Sequence, residues 1–382
     1  MRLGELSWII CLAGLPWSYF FIRLVEPFKA LDIWHANSWW MQGWGLVLVS
    51  VQRMNTRSIS PLPIAWWGLV SWLSLSVLWI FTSQLKSGQP YPASILLGIV
   101  NVWSIAILAW LMMDWTPKVV QTISQAVFWS GVGLVCYGFL QALNLDQFFK
   151  SIEWDRPRDS IVGMIGNPTH FGCQLVLWMP FALIQSHWRW VWVFPAFVVI
   201  GLTHSATAIA LAGIVIVGWW WKRSWKGGVI GAGLLSLCVG VIAMNFPSWI
   251  GFSGRLETWK VWWGIVGTRP ILGWGIGFVK HMAQGLSPSH PLFGWKHLHN
   301  EYLQLWVEGG IISLGFVACL LWKLWARRTQ TLSSPLRWAC GWSLTLCLLM
   351  ALTGFPFHLW QLGGWGLAAG IGWIILTEPR MA

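Results

Sequence analysis

Charge is what this chain lacks most. Only 9% of its 382 residues are Asp, Glu, Lys or Arg, against about 25% in soluble globular domains. A water-facing surface is therefore excluded over most of its length. The 7 cysteines all fall in apolar stretches and none forms a Cys-x-x-Cys pair, which argues against a disulfide framework and a zinc site. Tyrosine is scarce at 4, whereas tryptophan reaches 37. Indoles favour the membrane–water interface, where the ring is dry and the N–H wet. They also serve as stacking platforms for sugars, and composition does not divide the two roles. The net charge is +12, but no run of basic residues is long enough to indicate nucleic acid. The excess fits basic cytoplasmic loops and attraction to anionic membrane lipid, or a pyrophosphate-bearing substrate.

What fills the space left by charge is hydrocarbon. Apolar runs of roughly 17–25 residues are long enough to cross a bilayer as helices, and about twelve can be marked out. The expected fold class is an all-α polytopic membrane protein, with 1–382 as a single membrane domain. The first apolar run is read as a retained span. The run at Trp190–Leu202 is the weakest span. Arg53, Arg57, Lys222, Arg223, Arg327 and Arg328 lie in short loops on one side. That side holds roughly twice the basic residues of the other, which puts both termini in the cytoplasm.

Two outer loops then stand out, at approximately 143–170 and 247–301. In the longer one, Leu256, Trp259, Trp263 and Val266 recur at helical spacing and predict an amphipathic interfacial helix, with Glu257 and Lys260 off the stripe. Arg255 opens it, and a guanidinium can fork onto phosphate oxygens. Gly273, Gly275 and Gly277 mimic a dinucleotide fingerprint, but no strand precedes them. Tight turning or close backbone approach is the better reading.

The run Trp295–Glu308 carries the most chemistry. A helix starting near Asn300 would place positive partial charge beside His299, favouring the neutral imidazole that can accept a proton. Gln304 and Glu308 continue a polar stripe down an otherwise apolar span, a costly arrangement that is usually functional. A loop-internal structural role for His299 stays open. Zinc at His281, His290, His297 and His299 matches no standard spacing, so neither metal nor cofactor is expected. In the shorter loop, Arg156 and Arg158 precede Gly166-Asn167-Pro168 and suggest a pyrophosphate clamp, although Asp155 and Asp159 nearly cancel them.

Taken in order, Arg255 with Trp259, Pro270-Ile-Leu-Gly-Trp-Gly-Ile-Gly277, His299-Asn-Glu-Tyr-Leu-Gln304 and Glu308-Gly-Gly310 resemble the O-antigen ligase and polymerase superfamily of bacterial membrane glycosyltransferases. Gly163-Met-Ile-Gly-Asn-Pro-Thr169 resembles that family's earlier outer-loop signature. The family commonly has an arginine where this chain has Ser160, and Arg158 is its nearest substitute. The resemblance implies a GT-C-like architecture, with a large periplasmic loop containing short helices between the ninth and tenth spans. It also implies the bacterial inner membrane as location and a periplasmic active site. The implied reaction moves a glycan from undecaprenyl pyrophosphate to an acceptor hydroxyl of lipid A–core, inverting and metal-independent. His299 matches the essential loop histidine and Arg255 the arginine facing the pyrophosphate. Arg158, Arg156, Asn167, Asn300, Gln304 and Glu308 are the remaining candidate substrate-binding residues. A polymerase extending the lipid-linked chain and a protein O-oligosaccharyltransferase are the close alternatives. A lipid-linked oligosaccharide transporter is a distant one, since polarity gathers on one face rather than at mid-bilayer.

Overall fold

The computed structural model describes residues 3–14, 64–87, 93–146, 161–185, 188–233, 236, 255–284, 292, 297–326, 334–354 and 356–377. Among them every regular element is helical. In chain order these are α1 (Leu3–Gly14), α2 (Ile64–Ser87), α3 (Ala93–Met112), α4 (Pro117–Ala142), α5 (Pro168–Leu183), α6 (Arg189–Leu202), α7 (Ala206–Arg223), α8 (Arg255–Thr268), α9 (Phe278–Gln284), α10 (Glu301–Ala326), α11 (Pro335–Met350) and α12 (Trp365–Ile375). Residues 225–233 are also helical.

Of the expected spans, α4 and α10 are long and apolar enough to cross a bilayer, and shorter apolar stretches lie in α2, α3, α6 and α12. The run 34–51 and the 237–246 part of the expected span 229–246 fall outside the described residues, so they are not part of this description. The stretch read as the weakest span forms a helix of its own, α6.

The helices start where local chemistry lets them. Thr116 caps α4 by accepting from the Val119 N–H at 3.3 Å, with Pro117 at the first helical position. Asn167 does the same for α5, accepting from the His170 N–H at 3.2 Å ahead of Pro168. A side-chain acceptor satisfies an otherwise orphaned N–H, and proline there sacrifices no hydrogen bond.

Helix α5 is the hub. Every residue from Phe171 to Leu183 is buried, as expected of a helix that is apolar all round. It packs against α4, α6, α7 and α11. Ser343 on α11 donates to the Leu177 carbonyl at 2.9 Å. Around this hub the outward side chains are also apolar: Trp103, Ile107, Trp110, Trp129, Phe194 and Val198 are all exposed. Such an exterior suits hydrocarbon rather than water.

The contacts also fix which helix ends lie together. Gly172, near the start of α5, packs on Ala208 near the start of α7. Trp219, near the end of α7, meets Trp338 near the start of α11. Gln141, at the end of α4, accepts from the Gly163 N–H at 2.7 Å just before α5. The starts of α5 and α7 and the ends of α4 and α11 therefore share one end of the bundle.

At that end the long loop builds a second, smaller core. Trp262, Val266, Val279, Leu292, Leu298, Leu303 and Val307 are buried together. The stripe expected on α8 needs correcting here. Its buried residues are Thr258, Trp262 and Val266, whereas Leu256 and Trp263 are exposed. Trp262 is the residue that the second core takes in, so the buried face turns away from the Leu256–Trp263 line. Trp263 instead meets Trp306 edge to face at 5.1 Å.

One discontinuity organises this region. Gly310 in α10 has φ +67° and breaks the helix. The carbonyls of Val307 and Glu308 accept instead from the N–H groups of Trp274 and Gly275, at 2.8 and 2.7 Å. The Ile311 N–H donates to the Pro270 carbonyl at 2.9 Å, as does Trp306 Nε1 at the same distance. A Cβ on Gly273 would lie 2.5 Å from the Gly310 nitrogen, and one on Gly310 would overlap the Ile271 carbonyl. The Pro270–Gly277 loop is thus a backbone brace for the break. Gly310→Ala should lose at least about 2 kcal/mol from strain and overlap. Gly264→Ala, with open space around it, should gain up to about 1 kcal/mol. Thermal unfolding in detergent measures both, and equal midpoints would overturn the brace.

Candidate active site

The site is built on the starts of α8 and α10 and on the turn that ends α11. Asn300 caps α10, its Oδ1 accepting from the Leu303 N–H at 3.0 Å. Gln304 Oε1 accepts from the Leu298 N–H at 3.2 Å, and Trp259 Nε1 donates to the Leu298 carbonyl at 2.7 Å. Leu298 is fully buried. Both sides of the peptide chain entering His299 are therefore fixed. His299 itself adopts φ +52°, a left-handed conformation that few non-glycine residues hold without support.

Burial lowers the His299 pKa to about 4, and the charge of Arg255 adds to the shift. The imidazole is neutral at pH 7. Burial also moves Arg255 down from its ordinary range. Its Nη1 donates to the Thr353 carbonyl at 2.8 Å, anchoring one arm of the guanidinium at the end of α11.

The turn after α11 is the part of the site that the sequence did not announce. Besides holding Arg255, it accepts the Glu301 N–H on the Ala351 carbonyl at 2.8 Å. The Glu301 carboxylate in turn accepts from the Phe357 N–H at 2.8 Å. Glu301 is buried in the first turn of α10, the helix end at which the dipole favours acidic side chains. A signal was present in Leu-Thr-Gly-Phe-Pro-Phe, a Gly- and Pro-bearing turn between the last two apolar runs.

The structure thus brings Arg255, His299, Asn300 and Gln304 together. Glu308 is buried one turn further along α10 and accepts from the Val279 N–H at 3.3 Å, at the start of α9. Asn167 lies at the same end of the bundle as the cap of α5. Arg156, Arg158 and His290 lie outside the described residues. The nucleotide fingerprint is set aside on geometry, since Gly273, Gly275 and Gly277 all have positive φ, and Gly273 and Gly275 brace α10 rather than join a strand to a helix.

Glu301 offers a direct check of the turn. Glu301→Gln keeps an oxygen for the Phe357 N–H, whereas Glu301→Ala leaves that N–H without this acceptor. The alanine variant should lose about 1–3 kcal/mol more than the glutamine variant. Denaturation of both in the same detergent tests it, and matching losses would deny the turn its anchor.

Comparison with known proteins returns one family. No curated protein matches the chain. Residues 190–318 match the family model described as O-Antigen ligase. That span runs from α6 past the Gly310 break, and so includes Arg255, the glycine brace, His299, Gln304 and Glu308. It leaves out the Asn167 loop and the turn after α11. The match supports the O-antigen ligase superfamily, and with it a membrane enzyme of ligase or polymerase type.

Proposed function

We propose that the chain is an O-antigen ligase-like glycosyltransferase, a single membrane domain acting on the periplasmic face of the bacterial inner membrane with both termini cytoplasmic. Its donor is a glycan on undecaprenyl pyrophosphate and its acceptor a hydroxyl of lipid A–core. The observation that carries this reading is a neutral, half-buried His299 beside a partly anchored Arg255.

The chemistry follows from those two groups. The acceptor oxygen attacks the anomeric carbon from the side opposite the pyrophosphate, and His299 takes the acceptor proton as the new C–O bond forms. The anomeric C–O bond breaks and its electron pair leaves with the pyrophosphate. Negative charge grows on that leaving group, and Arg255 stabilises it. A single displacement of this kind inverts the anomeric centre. No step needs a metal or a nucleotide. The hydrogen bonds of Asn300, Gln304 and Glu308 support a positioning role for them. A share for Arg156, Arg158 and Asn167 in holding the pyrophosphate is proposed from the sequence pattern.

A histidine whose pKa is about 4 is a weak base, and catalytic bases work best with pKa values near the operating pH. Bound pyrophosphate resolves this conflict. Its negative charge offsets Arg255 and favours the imidazolium, so the His299 pKa rises when the donor binds. The acid limb of kcat/KM, which reports free enzyme, should lie near pH 4. The acid limb of kcat, which reports the complex, should lie higher. Coincident limbs near 6.5 would remove His299 as the base.

Substitution supplies the second check. His299→Ala should abolish transfer while membrane insertion and donor binding persist. Arg255→Lys should lower kcat by about tenfold or more, because a point charge does not replace a fork. Purified protein, donor and lipid A–core, followed by gel and mass spectrometry, read both out. One glycan added to the core makes a ligase. Ladders on the donor lipid without core make a polymerase. Turnover by His299→Ala at the wild-type rate would overturn the mechanism.

A further inference from the structure

The end of the bundle opposite Arg255 and His299 gathers cations onto indoles. Helix α6 begins with Arg189, α7 ends with Lys222 and Arg223, and α11 carries Arg337 in its first turn. The Arg189 and Arg223 guanidiniums both lie over the Trp219 ring, at 5.6 and 4.5 Å. Trp219 meets Trp338 edge-on at 5.0 Å, and the Lys222 ammonium sits 5.4 Å from the Trp338 centroid. Arg337, fully buried, lies over Trp373 at 4.7 Å. The acidic residues on the described elements at this end are Glu5 in α1 and Asp114 beyond α3.

Two guanidiniums sharing one ring repel each other. Cation–π attraction holds each to the ring, and the two like charges sit beside the exposed Lys222 ammonium. An anion between them and Lys222 would offset that repulsion. The starts of α6 and α11 point the same way, since neither Trp188 nor Ser334 makes a side-chain cap, leaving backbone N–H groups for an acceptor. Around the patch, Trp190, Trp221 and Trp225 are exposed. Exposed indoles beside arginine and lysine mark headgroup depth in a bilayer.

We propose that this patch is a binding site for the headgroup of an anionic phospholipid. Arg189, Lys222 and Arg223 hold its phosphate, and Trp190 and Trp221 flank the boundary between headgroup and chains. The exposed indoles select a lipid over a free anion, which would need no apolar flank. Near a membrane surface each basic residue strengthens anionic binding by about fivefold.

The test uses the purified chain in a neutral detergent, with native mass spectrometry and thermal unfolding. Phosphatidylglycerol should bind and raise the unfolding midpoint by several degrees. Phosphatidylcholine and inorganic phosphate should do neither. Lys222 and Arg223 are exposed, so the K222Q/R223Q variant should still fold cooperatively in detergent, and it should bind phosphatidylglycerol about tenfold or more weakly. K222R/R223K should restore binding. Equal stabilisation by phosphatidylcholine would overturn the site. So would a shift reproduced by phosphate, wild-type binding by the glutamine variant, or loss of binding in the charge-keeping one.

Discussion

The site depends on a helix that is not allowed to finish its own hydrogen bonding. A buried carbonyl without a donor is costly, and the break at Gly310 strands two of them in an apolar span. The remedy comes from earlier in the chain, where Trp274 and Gly275 supply the missing N–H groups. Because this exchange is backbone to backbone, it fixes register as well as stability. The first turns of α10, with Asn300, Gln304 and Glu308 along them, are then locked to the loop that carries Arg255. Glycine is required on both sides of the contact because no side chain fits between the two strands of backbone.

Electrostatics within the site run against ordinary surface behaviour. A guanidinium and an imidazole are held close in a half-buried setting, so the imidazole remains neutral. The buried Glu301 carboxylate accepts from the Phe357 N–H and so ties the start of α10 to the turn after α11. The free site therefore sets a guanidinium beside a neutral imidazole.

Much of this was legible in the sequence, but unevenly. Low charge and long apolar runs foretold a helical membrane protein, and the three glycines of Pro270–Gly277 foretold close backbone approach. His299 was legible because polar residues repeat below it on an apolar helix. The face of α8 was not, since Trp259, Trp262 and Trp263 lie consecutively enough to support two stripes. Only the packing of Trp262 into the second core decides between them. The turn after α11 was missed because it contributes mostly carbonyl oxygens and N–H groups, which every residue has. A residue-by-residue search for chemistry passes over groups that carry no side-chain signature.

That turn also sets the order in which the protein comes into being. Arg255, His299 and Glu301 are synthesised before residues 351–357, yet two of them are anchored there. A nascent chain inserted as far as α10 would hold the brace and the reactive groups without their final anchors. Competence would arrive late, when the last hairpin enters the membrane. Formation of the site is thus tied to completion of the last hairpin.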